Sequence, residues 1–327
     1  MRTHTTISRT LAVALTALAV GACGDAKDPV APVVPAAASL AKGGPNTLPA
    51  NGRIYFSSNF TGNMEVYSMN PDGSDRRRLT YSADHDGWLD VSRDGKKLVT
   101  AGQAAGSGEG RVYTMNVDGT NRRLVTSRTD GLVGSPAWSP DGRRIAYAFI
   151  DANNLSESAI WTVAASGGKE TRLTPLGQNA SSASWSPDGA RIVYAASPPA
   201  LGNADLYVMN ADGSAPQLLY DCVEWCMNPV WSHDGTRIFY VAAGSFTKQI
   251  EYCVLQPQGA VCGIPLATGV STFILALSPD DSQLAFRWDE VIDNVGSQRV
   301  STANVNGSTQ TAVTGNLSDI YDLAWGR

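Results

Sequence analysis

A four-residue turn recurs along the chain at nearly constant spacing: Ser92-Arg93-Asp94-Gly95, Ser139-Pro140-Asp141-Gly142, Ser186-Pro187-Asp188-Gly189, Ser232-His233-Asp234-Gly235 and Ser278-Pro279-Asp280-Asp281. Their third-position aspartates lie 47, 47, 46 and 46 residues apart. A fixed period of this size demands equivalent units that bury their apolar faces against one another. A second turn interleaves with the first: Asn70-Pro71-Asp72-Gly73, Asn116-Val117-Asp118-Gly119, Asn210-Ala211-Asp212-Gly213, Gln256-Pro257-Gln258-Gly259 and Asn304-Val305-Asn306-Gly307, with Ala165-Ser166-Gly167-Gly168 as the degenerate member. Proline presets φ for the first corner residue, Asp or Asn tolerates the next, and glycine takes the left-handed position that follows. Each unit therefore carries two hairpins.

Between the turns lie short β-branched and aromatic runs such as Arg144-Ile145-Ala146-Tyr147-Ala148, Arg191-Ile192-Val193-Tyr194-Ala195 and Arg237-Ile238-Phe239-Tyr240-Val241, which read as strands. The order in a unit is strand A ending near tryptophan (Trp138, Trp185, Trp231), the first turn, strand B, a variable loop, strand C (Val112 to Met115), the second turn and strand D (Arg122 to Thr126). Four strands per unit at this period make a β-propeller blade. Residues 51–327 number 277, or about six periods. The first unit starts in mid-blade at Asn51-Gly52-Arg53-Ile54-Tyr55-Phe56, without a strand A. The missing strand matches Asp322-Leu323-Ala324-Trp325-Gly326 at the other end. The fold class expected is all-β: a six-bladed propeller over 51–327, closed by a C-terminal strand that completes the first blade and leaves no unpaired edge at the seam.

Residues 1–22 have the form of an export signal, with Arg2 and Arg9 flanking a short basic region and an apolar stretch of about ten residues from Leu11 to Val20, too short to span a bilayer. Val20-Gly21-Ala22-Cys23 resembles a bacterial lipobox, which implies acylation of Cys23 and, with Gly24 next, an outer-membrane address. Residues 23–50 hold five prolines, many alanines and no aromatic residue, and read as a semi-extended tether reaching roughly 80 Å.

Loss of residues 1–22 leaves 23 basic and 30 acidic side chains, a net charge of −7, which excludes a global nucleic-acid footprint. Arginine clusters such as Arg76-Arg77-Arg78 and Arg122-Arg123 recur at equivalent places and read as guards on outer strand edges. Beyond Cys23, the four cysteines Cys222, Cys226, Cys253 and Cys262 fit two disulfides of an oxidising compartment. Local pairing is expected, although a glycine bulge would set Cys253 opposite residue 263. With only His85 and His233 beyond the signal, neither a zinc site nor a resident cofactor is expected.

No Gly-x-Ser-x-Gly nucleophile elbow occurs. Asp84-His85-Asp86-Gly87 has only a faint likeness to a calcium loop, with Gly95 standing where the closing glutamate belongs. His233 reads as a solvated turn residue. In a propeller the D-to-A and B-to-C loops share one face, and on it fall His85 and the acids Asp84, Asp86, Asp130, Asp151, Asp221, Glu224, Asp289, Glu290 and Asp319, with Glu157 and Asp293. Variable loops on a rigid frame carry recognition, and like charges around a channel focus field. This acidic face is the expected binding face, for a basic protein segment or a divalent cation.

The units Pro136 to Tyr147 (Pro-Ala-Trp-Ser-Pro-Asp-Gly-Arg-Arg-Ile-Ala-Tyr) and Leu206 to Gly213 (Leu-Tyr-Val-Met-Asn-Ala-Asp-Gly) resemble the repeats of the TolB-type six-bladed propeller family. The resemblance covers 51–327 and implies a non-enzymatic role exercised through protein contacts in the cell envelope. The repeats also resemble the propeller half of prolyl-oligopeptidase-type peptidases, whose catalytic domain has no counterpart here. The expected protein is therefore a monomeric, lipid-anchored envelope scaffold that binds another protein. The alternative is an exported metal-dependent polysaccharide lyase built on a propeller, for which two histidines are few.

Overall fold

The structure, a computed structural model, describes residues 52–326 apart from 127, 155–156, 199–202, 224, 245–247, 258, 267–271, 273, 293–294 and 315–319. Cys23, the tether, Glu224, Asp293 and Asp319 thus lie outside the described residues.

Among the described residues, twenty-four strands form six four-stranded antiparallel sheets. The first blade contains β1 (Arg53–Ser58), β2 (Glu65–Met69) and β3 (Arg77–Arg78); the second β4 (His85–Val91), β5 (Lys97–Gln103), β6 (Gly110–Asn116) and β7 (Arg123–Leu124). The third holds β8 (Gly131–Trp138), β9 (Arg144–Asp151), β10 (Ser158–Ala164) and β11 (Thr171–Arg172); the fourth β12 (Ser181–Trp185), β13 (Arg191–Ala196), β14 (Asp205–Asn210) and β15 (Gln217–Tyr220). The fifth holds β16 (Trp225–Trp231), β17 (Arg237–Ala243), β18 (Lys248–Gln256) and β19 (Gly259–Pro265); the sixth β20 (Leu275–Leu277), β21 (Gln283–Ile292), β22 (Val295–Asn304) and β23 (Thr311–Ala312). The last strand, β24 (Ile320–Gly326), joins the first blade, in the order β24-β1-β2-β3. Its register sets Ile54 opposite Trp325, Tyr55 opposite Ala324 and Phe56 opposite Leu323. Closure is therefore the one expected from the sequence.

The repeated turn has a side-chain logic beyond its glycine. In all five copies the serine Oγ donates to the aspartate Oδ1 at 2.6–2.7 Å, and accepts the amide N–H five residues after the serine at 2.8–2.9 Å. Serine and aspartate thus satisfy backbone groups that the tight corner leaves over. In the other turn, glycine also permits close approach. A Cβ on Gly119, at φ +84°, would lie 2.2 Å from the Leu79 carbonyl oxygen of the neighbouring blade.

Outer strands are shorter than the sequence implies. The repeat places strand D of the second blade over Arg122 to Thr126, yet only Arg123–Leu124 pair. The ladder ends where a side chain takes over: the Val112 N–H donates to Thr126 Oγ1 at 3.1 Å, as Val66 does to Thr80, Ile160 to Thr174 and Val300 to Thr314. At the corresponding step of the fourth blade, Cys222 N donates to the buried Asp205 and Cys222 is bridged to Cys226 on β16. The second disulfide joins Cys253 and Cys262 inside the fifth blade. A bulge falls beyond the turn, between the pairs Val254–Val261 and Tyr252–Ile264, and leaves residues 262 and 263 together facing Cys253, so the local pairing expected from the sequence forms.

The core lies between blades. Trp138 packs with Val99 and Val112 of the second blade, Trp185 with Ala137 and Ala146 of the third, and Trp231 with Val193 of the fourth. Trp325 is buried with Ile54 and with Ala276 and Val300 of the sixth blade. The six inner strands β24, β4, β8, β12, β16 and β20 pack each against the next, and the ring closes from β20 back to β24.

Candidate functional site

Among the described residues, several acids of the D-to-A and B-to-C loops are paired or buried. Asp86 is 1% exposed, 2.7 Å from Arg122, and burial raises its pKa despite that cation. It cannot serve as a surface ligand, because β4 turns its side chain into the blade. Asp84 is half-buried. Burial works against its charge, but the Tyr113 hydroxyl at 2.7 Å, the Ala105 amide at 3.0 Å and the Arg122 guanidinium hold its pKa below the usual range. Asp130 is exposed but gripped by both arms of Arg128, at 2.7 and 3.0 Å, which lowers its pKa. Asp151 accepts the Asn153 amide, and Asp289 faces Arg287 at 3.0 Å. His85 and Asp221 are exposed on this side, and nothing is described of the Glu290 side chain. Asp84, Asp86, Asp130, Asp151 and Asp289 are thus held in local ion pairs and caps, while His85 and Asp221 stay exposed.

A cavity lies on the opposite side, on the ring axis, beneath the Ser-x-Asp-Gly turns. It encloses about 190 Å³ and takes its wall from all six inner strands. Pro140, Pro187 and Pro279, the second residues of three turns, line it together with Arg93 and His233, their equivalents in the second and fifth blades. The variation at this one turn position is the signal available in the sequence. Read as backbone chemistry alone, it makes His233 a solvated turn residue and gives Arg93 no role.

Arg93 reaches across the axis, its Nη1 donating to the Pro187 carbonyl at 3.0 Å. His233 is positioned by the neighbouring blade. There, Asp281 stands where the other turns have glycine, and at φ +57° its carboxylate accepts the His233 and Asp234 amides at 3.0 and 2.9 Å. The same carboxylate lies 2.7 Å from His233 Nδ1. An imidazole facing a carboxylate carries its proton on that nitrogen and turns its other nitrogen away. His233 is consequently a held side chain and not a freely solvated one.

Two carboxylates tie the inner strands together. Asp90 accepts the Trp138 and Val91 amides, both at 2.8 Å, and Asp322 accepts those of Leu89 at 2.8 Å and Leu323 at 2.9 Å. Burial pushes Asp90 up to about 6 against the pull of its amide donors. It pushes Asp322 to about 7, with the charge of Asp90 adding to the rise. The cavity can thus present one guanidinium, one oriented imidazole and a carboxylate between proline and tryptophan walls. Such a mouth suits an extended chain with mixed polar and apolar groups. Among the described residues no three His, Cys, Asp or Glu side chains converge to hold a metal ion.

Solved structures share this architecture. TolB from Acinetobacter baumannii superposes with a TM-score of 0.69 at 18% identity, covering 85% of this chain and 68% of that one. A putative TolB from Agrobacterium tumefaciens gives 0.61 at 18% identity, over 82% and 90%. An oligogalacturonate lyase in complex with manganese gives 0.56 at 15% identity, over 79% and 73%. Likeness at these identities speaks to the fold. No curated protein matches the chain. Residues 106–327 match the TolB beta propeller domain, and with the sixfold ring and its repeated turns this places the chain in the TolB-type propeller family.

Proposed function

We propose that the protein is a non-enzymatic, envelope-located scaffold that binds another protein at the mouth of its axial cavity. The observation that carries this reading is the cavity itself, the place where six blades converge and where the repeat departs from its own pattern at Arg93, His233 and Asp281. A rigid ring bearing individual side chains at one convergent mouth offers orientation without a reactive constellation. The similarity to TolB structures and two disulfides, which form in an oxidising compartment, support the envelope setting. Acylation at Cys23 belongs to the same proposal and is tested by labelling with a fatty-acid analogue, lost in Cys23→Ser.

The experiment places a photo-crosslinking residue at position 93 or 140, on the cavity side, or at position 130, on the opposite side, in intact cells. A discrete protein captured from the cavity side, and a purified pair whose affinity falls about tenfold or more in Arg93→Glu, is the expected result. Capture only from position 130 overturns the assignment of the face, and capture from neither overturns the scaffold reading.

A further inference from the structure

Among the described residues, no lysine or arginine pairs with Asp90, a carboxylate in the wall of the axial cavity. Asp90 is half-buried and accepts one backbone amide on each oxygen, those of Val91 and Trp138. Of the strands packed against β4, β24 brings a second acid, Asp322, and β8 brings no ionisable side chain. The charged residues of β1, β2 and β5 are turned elsewhere: Arg53 to Asp75, Glu65 to Arg78 and Lys97 to Asn116. The tyrosines of β1, β2 and β24 are neutral at physiological pH. On β4 itself Asp86 pairs with Arg122, and His85 is exposed at the other end. His233, in the same cavity lining, favours charge on Asp90 but is held by its own carboxylate, Asp281.

A charge enclosed by protein is normally matched by a counter-charge, because desolvation disfavours an isolated one. Here the cation is missing from the chain. The lining also lacks acceptors: Trp138, Trp185 and Trp231, which are 8%, 6% and 5% exposed, each keep an indole N–H without a hydrogen-bond partner.

The shape of the cavity limits what can supply the charge. Arg93, at the mouth, follows Asp90 by three residues, which puts the carboxylate up to roughly 10 Å deeper. The wall around it is aliphatic, from Ala137, Val230, Leu275, Ala276, Leu323 and Ala324. A lysine side chain has the matching form, with a four-carbon stem for that wall and a compact ammonium for lone pairs that the two amides leave open. We infer that the axial cavity takes up a lysine side chain of the bound protein, its ammonium against Asp90 and its backbone carbonyls beside the Arg93 guanidinium. The inference rests on the protein-binding reading above and names the chemistry recognised at that mouth.

The test uses the purified propeller with Nα-acetyl-lysine N-methylamide as probe. Its norleucine analogue, which has the stem without the charge, is the control. Binding is read from tryptophan fluorescence and from the carboxyl-carbon NMR signal of Asp90. Saturation by the lysine amide at millimolar concentration is expected, at least about tenfold tighter than by the norleucine amide. Affinity should rise about tenfold between about pH 5 and pH 7.5 as Asp90 loses its proton, and by linkage the bound probe should lower the Asp90 pKa from about 6. Asp90→Asn should abolish the preference for lysine; if that variant does not fold, the NMR titration of the parent protein decides. Equal binding of the two amides, or an Asp90 titration that the lysine amide leaves unmoved, overturns the inference. Should crosslinking from position 93 or 140 still capture a protein in that case, the binding face stands and only its lysine is lost. Binding of the lysine amide with no protein captured supports the ammonium site and sinks the scaffold reading instead.

Discussion

Asp281 of the sixth blade holds His233 of the fifth, with Oδ1 2.7 Å from Nδ1, and does so from a left-handed backbone conformation that its four counterparts assign to glycine. A side chain at φ +57° is strained, and three hydrogen bonds offset the strain. Asp281→Ala removes the bonds and keeps the strain, and should cost about 2–3 kcal/mol in urea unfolding. Asp281→Gly removes both and should be milder by about 1 kcal/mol. Equal losses in the two variants would show that the backbone is relaxed there.

The Asp86–Arg122 pair makes a second case. Arg122→Met leaves a buried carboxylate without its cation and should destabilise by about 3 kcal/mol. The double variant Asp86→Asn, Arg122→Met should recover much of that loss, and chemical denaturation of the four proteins of this cycle measures the coupling.

That pair also shows where sequence reading stops. Ring closure was legible because Asp322 to Gly326 repeats the pattern of strand A and Asn51 to Phe56 that of strand B, so local pattern alone specified a long-range pairing. The sign of the loop face was legible only as composition. Asp84, just before β4, and Asp86, within it, meet Arg122 beside β7 across the width of their own blade, and Asp130 meets Arg128 two residues away. Neither contact follows from turn chemistry or period. The cavity was hidden for a related reason: Pro140, Pro187 and Pro279 satisfy a turn equally well wherever its corner points, and only the closed ring aims all three at one axis.

Both disulfides close short loops, with sequence separations of 4 and 9 residues, so each should contribute about 2 kcal/mol. Cys222→Ser with Cys226→Ser is expected to loosen the junction between the fourth and fifth blades. Hydrogen exchange should rise around β15 and β16 and stay unchanged at β1 and β24.

Asp90 and Asp322, raised to about 6 and 7, predict an uncommon pH response. Their pKa values exceed those in the unfolded chain, so the folded state binds more protons between about pH 4 and pH 7. Their contribution to stability is complete below about pH 4 and is lost as pH rises through 6 and 7. The two titrate as a coupled pair. Carboxyl-carbon NMR should show two steps between about pH 5 and 8, and the stability of the parent protein should fall over that interval more than that of Asp90→Ala, Asp322→Ala.

Trp325 is 4% exposed at the seam, and Trp325→Ala should cost about 3–5 kcal/mol, read from the thermal midpoint and a urea curve. A loss below about 1 kcal/mol would mean that the seam bears little of the fold.

The strand that seals the circle is also part of the chamber. Leu323 to Gly326 contribute one of its six walls, so the chamber does not exist in a chain whose tail has yet to dock. Blades two to six can assemble side by side during synthesis, but the mouth takes shape only when the two extremities meet. If the proposed partner is bound at this mouth, completion of folding and readiness to bind are a single event, and a molecule clipped before β24 should not bind it.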